Sequence, residues 1–162
     1  MTAPSTCYVV DASVGIKLFV NEPYSDEAHA LFSLAAGEPR TEFHVPELFY
    51  VESANILWKC VRRARITAAA ALEIVERLQR LPLSRVATDA ILREALRLAI
   101  EHGISAYDAT YVASALLVGA PLVTCDEPLA EKFAGKQPSV VLLADLPLPD
   151  LAKQQKEGVV DI

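Results

Sequence analysis

The chain has 162 residues, 52% of them hydrophobic, with a mean hydropathy of +0.28 and a net charge of −6. That length suits one domain with a real core, and the acid excess excludes a protein that coats nucleic acid by bulk charge. The longest uncharged run, Ala109 to Cys125, is broken by Gly119 and Pro121, so it reads as helix, turn and strand and not as a membrane span. The opening MTAPSTCYVVD has no basic n-region, and a soluble cytoplasmic protein is expected.

In chain order, short apolar runs alternate with longer helical patterns, the mark of a parallel sheet covered by helices on both faces. Strands are predicted at Cys7 to Val10, Phe43 to Val45, Leu83 to Val86, Leu122 to Thr124 and Val140 to Leu143. Helices are predicted at 13–20, 25–36, 47–64, 68–80, 89–102, 106–118 and 128–134. Thr67 and the Thr88–Asp89 pair supply start signals, and Gly37, Gly103, Gly119 and Gly135 fall where helices should stop. One domain is expected over residues 1–146. A polar, Pro-containing tail, extended or mobile, follows over 147–162.

Cys7, Cys60 and Cys125 are odd in number and widely spaced, which argues against a disulfide framework or a thiolate metal site; they read as buried small apolar residues. The apolar surplus exceeds what one small core needs and suggests a covered partner surface. Charge is unevenly spread: residues 53–100 balance at +5 and the remainder at −11. Most of those arginines read as solvated helix faces. The stretch Lys59, Arg62, Arg63 and Arg65 is dense enough to form a ridge for phosphates.

Four carboxylates stand where this kind of fold puts its chemistry. In open α/β sheets the crevice lies beyond the carboxyl ends of the strands. Asp11 and Asp126 each follow a predicted strand, while Glu52 and Asp108 lie inside otherwise apolar helices. A buried carboxylate must find a partner or lose its charge, and one divalent cation would serve all four. Each also has an ordinary explanation: Asp11 as a helix cap, Asp108 in a capping box with Ser105, Glu52 paired to a nearby Arg or Lys, and Glu127 competing with Asp126 for the last cap.

Hard oxygen ligands select Mg²⁺ or Mn²⁺ and suit phosphodiester hydrolysis, in which the metal makes a coordinated water acidic enough to attack. Histidine is then not needed as the base. His29, His44 and His102 have no zinc-type spacing and read as structural.

The motifs VVDASV, VNEPYSDEAHALF, VPELFYVESANILWK, ISAYDATYVASAL and LVTCDEPL, in this order from Tyr8 to Leu146, give a chain that resembles a PIN-domain ribonuclease, most closely the VapC-type toxins of toxin-antitoxin pairs. The resemblance implies a three-layer α/β/α sandwich around a five-stranded parallel sheet, and a metal held by Asp11, Glu52, Asp108 and Asp126. It implies that Ser13 and Thr124 orient those carboxylates or a bound water. It further implies cleavage of RNA, a homodimer, and silencing by a cognate antitoxin protein. Glu127 has no assigned role in the shared pattern.

Two other classes compete. Aspartyl-phosphate enzymes also place an Asp after the first strand, but a phosphatase of that kind wants a second Asp where Ser13 stands, and a receiver wants an Asp and a Lys that Val86–Ala87 and Ala144–Asp145 do not offer. A catalytically silent binding module would keep the fold without turnover; an intact acidic quartet argues against it.

Overall fold

The computed structural model describes residues 6–37 and 40–148. The part of the tail beyond 148 lies outside the described residues. Five strands, β1 (Cys7–Val10), β2 (Glu42–Pro46), β3 (Leu83–Val86), β4 (Leu122–Thr124) and β5 (Val140–Leu142), form one sheet in the order β3-β2-β1-β4-β5, every pairing parallel. Among the described residues seven helices accompany them: α1 (Ala12–Gly15), α2 (Ser25–Ser33), α3 (Leu48–Arg62), α4 (Ala68–Gln79), α5 (Thr88–His102), α6 (Ala106–Val118) and α7 (Glu127–Lys132). A 3₁₀ turn extends α1 over Ile16–Leu18 and another extends α2 over Leu34–Ala36. The expected three-layer α/β/α sandwich is observed.

The central strands β1 and β4 are mostly apolar, without polar alternation, because helices cover both faces of the sheet there. Val9, Val10, Val45, Leu122 and Val123 are fully enclosed, and they share one core with Phe43 of β2 and with Phe49, Leu31, Ile91, Leu98 and Val112 from the helices. A smaller cluster of Ile16, Val20, Leu57, Cys60 and Ile74 joins α3 and α4 to the turn after α1. Gly15 belongs to this packing by closeness, not by conformation: a Cβ there would meet the Phe49 ring at 2.5 Å.

Helix boundaries match the expectation to within a few residues, with informative exceptions. Gly103 and Gly119 close α5 and α6 in the left-handed region, whereas Gly37 is extended. Thr67 caps α4 through the Ala70 N–H. Thr88 does not cap α5. It lies inside the helix, Ala87 holds the cap position, and both the Thr88 N–H and hydroxyl donate to the Glu47 carboxylate at 2.9 and 2.8 Å. A side chain from the end of β2 thus supplies the acceptor that the local sequence lacks.

The cysteines also differ from expectation. Only Cys60 is fully buried; Cys7 and Cys125 are half-buried, and all three are free thiols. No helix among the described residues is long and apolar enough to cross a membrane.

Candidate metal-dependent active site

Strand order reverses at β1, whose sheet neighbours β2 and β4 lie on opposite sides of it. Loops leaving the carboxyl ends of β1 and β4 therefore diverge and open a crevice. Asp11 leaves β1 and Asp126 leaves β4. The helix after β2, α3, starts at the same edge and carries Glu52, while α6 runs back against the strands so that its first turn, with Asp108, also ends there. All four carboxylates line one cleft of about 390 Å³, together with Ser13, Asn55, Ile56, Lys59, Tyr111 and Cys125.

Two of the four carboxylates are also helix caps. Asp11 caps α1, its Oδ1 accepting from the Ser13 N–H at 3.0 Å. Its Oδ2 accepts from the Thr124 hydroxyl at 2.6 Å, and Thr124 Oγ1 in turn accepts the Asp126 N–H at 3.1 Å. A fully buried hydroxyl thus ties the two strand-end carboxylates together. Asp126, not Glu127, caps α7, through the Leu129 N–H at 2.9 Å. Glu127 is exposed and borders a different hollow beside Tyr24 and Leu143. Ser105 caps α6, its hydroxyl accepting the Asp108 N–H at 3.0 Å and donating to Asp108 Oδ2 at 2.7 Å, so the expected pair closes through the hydroxyl and not through the Ser105 N–H of a full capping box. The positive ends of α6 and α7 favour negative charge at this edge.

Glu52 is held by a residue that sequence reasoning missed. The Tyr111 hydroxyl, from α6, donates to Glu52 Oε2 at 2.5 Å; no ion pair with the 59–65 stretch forms. The available signal was the spacing, since Tyr111 lies three residues after Asp108 and therefore on the same helix face. Ser13 orients Asp11 through its backbone N–H. Its hydroxyl accepts the Cys125 N–H at 3.2 Å, joining α1 to the end of β4, and only its backbone touches a carboxylate.

Burial pushes the Asp11 carboxyl above its ordinary range, opposed by the hydrogen bonds from Thr124 and Ser13 and reinforced by the charges of Asp108 and Asp126. Burial likewise raises Glu52, opposed by Tyr111 and reinforced by Asp11 and Asp108. Burial first, then the Asp11 charge, keeps the Tyr111 phenol protonated. The carboxylates feel one another, and no basic side chain is ion-paired with any of the four among the described residues. They ring the cleft and do not close on a point: among the described residues no three acidic, His or Cys groups are already gathered as an ion cage. An all-oxygen, like-charged donor set of this kind fits a hard divalent cation, with Asp11, Glu52, Asp108 and Asp126 as the residues that could hold it.

The remaining candidates divide. Lys59 borders the acidic cleft and, with Arg62, Arg63 and Trp58, a second hollow beside it. Arg65 is turned away to Glu22 at 3.0 Å and to the Asn21 carbonyl, which removes it from the ridge. None of the three histidines lines the cleft. His102 packs edge-on against Phe133, His44 lies 3.7 Å from Glu42, and His29 is exposed on α2.

A family model described as PIN domain matches residues 8–134. The chain is 39% identical over 127 residues to Ribonuclease VapC3 of Pyrobaculum aerophilum, covering 77% of this chain and 93% of that protein. It is 36% identical over 117 residues to Exonuclease VapC9 of the same organism, covering 69% and 86%. A crystal structure of PAE2754 from Pyrobaculum aerophilum superposes with a TM-score of 0.64 at 28% identity, covering 88% and 93%. That of Mycobacterium tuberculosis VapC20, a Sarcin-Ricin loop cleaving toxin, shares the fold with a TM-score of 0.60 at 18% identity, covering 76% and 93%. The chain belongs to the PIN-domain family, in its VapC branch.

Proposed function

We propose that the chain is a cytoplasmic, Mg²⁺- or Mn²⁺-dependent endoribonuclease and the toxin of a toxin-antitoxin pair. The observation that carries this reading is the convergence of Asp11, Glu52, Asp108 and Asp126 on one cleft without a cationic partner. Ribonuclease VapC3, 39% identical, supports RNA as the substrate.

A divalent ion bound by the four carboxylates would neutralise the phosphate and acidify a water for in-line attack. The chain's own residues do the positioning. Thr124 and the Ser13 amide fix both oxygens of Asp11, and each oxygen keeps a further lone pair that could serve a cation. Tyr111 orients Glu52 and Ser105 orients Asp108, the kind of outer contact that sets ligand geometry. Lys59, exposed at the rim, is placed to draw a phosphate in. An aspartyl-phosphate route finds no support, because Ser13 occupies the place of the second acid.

A second copy of the chain and a cognate antitoxin are the proposed partners. Leu92, Leu96 and Ile100, at successive turns of α5, form an exposed apolar stripe, the kind of adjoining apolar face that marks a protein interface.

Thermal melting tests the metal assignment. At a Mn²⁺ concentration about 100 times its Kd, the folded state should gain about 2.7 kcal/mol, the gain should vanish with EDTA, and Asp11→Asn should show none of it. A wild-type melting temperature indifferent to Mn²⁺ and Mg²⁺ would refute the reading.

A further inference from the structure

Beside the acidic cleft, α3 carries a feature that the catalytic reading leaves unused. Trp58, the chain's one tryptophan, leaves 53% of its surface in solvent, although so large a ring ordinarily withdraws into a core or an interface. One turn on, Arg62 lays its guanidinium over the indole, 5.1 Å from the ring centroid. These two, with Lys59 and Arg63, wall a hollow of about 270 Å³. Lys59 lines both this hollow and the acidic cleft, so the two are adjacent. Along the helix axis Trp58 stands about 9 Å beyond Glu52. Lys59, Arg62 and Arg63 have no ion-pair partner among the described residues, so their charge is uncommitted.

We propose that this hollow is a base-stacking subsite: an unpaired nucleotide near the scissile bond lays its base on the Trp58–Arg62 platform while Lys59 and Arg63 take the adjoining phosphates. The inference rests on the ribonuclease reading and adds to it a means of holding single-stranded substrate. A flat aromatic–guanidinium surface accepts any base, and flanking cations accept the backbone. A peptide would satisfy only one of those two features unless it were both aromatic and acidic. Single-stranded RNA brings a π-face and an anion in every residue.

Trp58 is the only indole, so its fluorescence reports on the subsite directly. Asp11→Asn protein, which should hold RNA uncut, is titrated with a single-stranded RNA oligonucleotide and with a strand of equal length whose bases are replaced by abasic sites. RNA should quench the fluorescence saturably and the abasic strand should not. Trp58→Ala, made in the same background, should bind the RNA roughly 5- to 150-fold more weakly and the abasic strand unchanged, while Trp58→Phe should keep most of the affinity. In turnover with Mn²⁺ the loss from Trp58→Ala should fall on KM and not on kcat, and an unshifted melting temperature should show that the fold is intact. Equal quenching by both strands, or unaltered RNA binding by Trp58→Ala, would overturn the subsite while wild-type cleavage left the ribonuclease reading standing; the face would then belong to a protein partner. Wild-type protein that neither binds nor cuts RNA would overturn both.

Discussion

Thr124 offers the sharpest test of how the site is held. Its side chain is fully buried, donates to Asp11 Oδ2 and accepts the Asp126 N–H. Thr124→Val keeps the shape and removes both bonds. Losing a hydrogen bond to a charged group costs about 1.5–3 kcal/mol, and a buried amide left without an acceptor costs about 1–3 kcal/mol more. Because the Asp126 amide sits near a cleft that admits water, a total near the lower half, about 3 kcal/mol, is expected. For a domain of this size that lowers Tm by roughly 6–12 °C, read by calorimetry or circular dichroism. Thr124→Ser keeps the hydroxyl and loses one methyl, so it should cost only about 1 kcal/mol. If Val costs no more than Ser, the hydroxyl is not what joins the two strand ends, and the account of the site is wrong.

Tyr111→Phe should leave the fold stable but weaken Mn²⁺ binding roughly 10- to 100-fold, the usual effect of removing a partner that orients a ligand, measured by calorimetric titration; unchanged affinity would show that Glu52 needs no such support. Gly15→Ala, which in an exposed helix would be stabilising, should instead cost about 1–3 kcal/mol in chemical denaturation, because the new methyl meets the buried Phe49 ring. At Glu22, burial raises the carboxyl, but hydrogen bonds from Arg65 and Lys17 outweigh it and hold it below its ordinary value. A depressed carboxylate stabilises the fold above its unfolded pKa, and that contribution disappears as pH falls through the lowered one. Glu22→Gln should therefore cost roughly 2–3 kcal/mol at pH 7, with buried Lys17 losing its partner, and the gap from wild type should close below the carboxylate range. A gap that is flat with pH would refute the pairing.

Local signals were enough wherever the structure is decided locally. β1 and β4 are mostly apolar runs followed closely by an acid, and all four of their predicted boundaries coincide with the observed Cys7–Val10 and Leu122–Thr124. The acidic quartet was legible because each member is a charge set against an apolar background. What escaped is decided at long range. Tyr111 meets Glu52 across 59 residues, Glu47 serves Thr88 across 41, and Arg65 meets Glu22 across 43. No window of sequence contains both ends of such a bond. The choice of Asp126 over Glu127 as cap was lost for another reason, since both precede Pro128 closely enough to serve and only the Thr124 bond to the Asp126 amide fixes the turn. The domain limits proposed at 1–146, with a separate tail, remain a proposal; the family match ends at residue 134.

Sequencing RNA ends after incubation with the pure protein is the most direct measurement of the central claim. With Mn²⁺, wild type should create new ends at defined positions; with EDTA, or with Asp11→Asn folded to the same melting temperature, those ends should be absent. The same ends produced by Asp11→Asn, or by wild type in EDTA, would contradict a mechanism built on a metal held by these carboxylates.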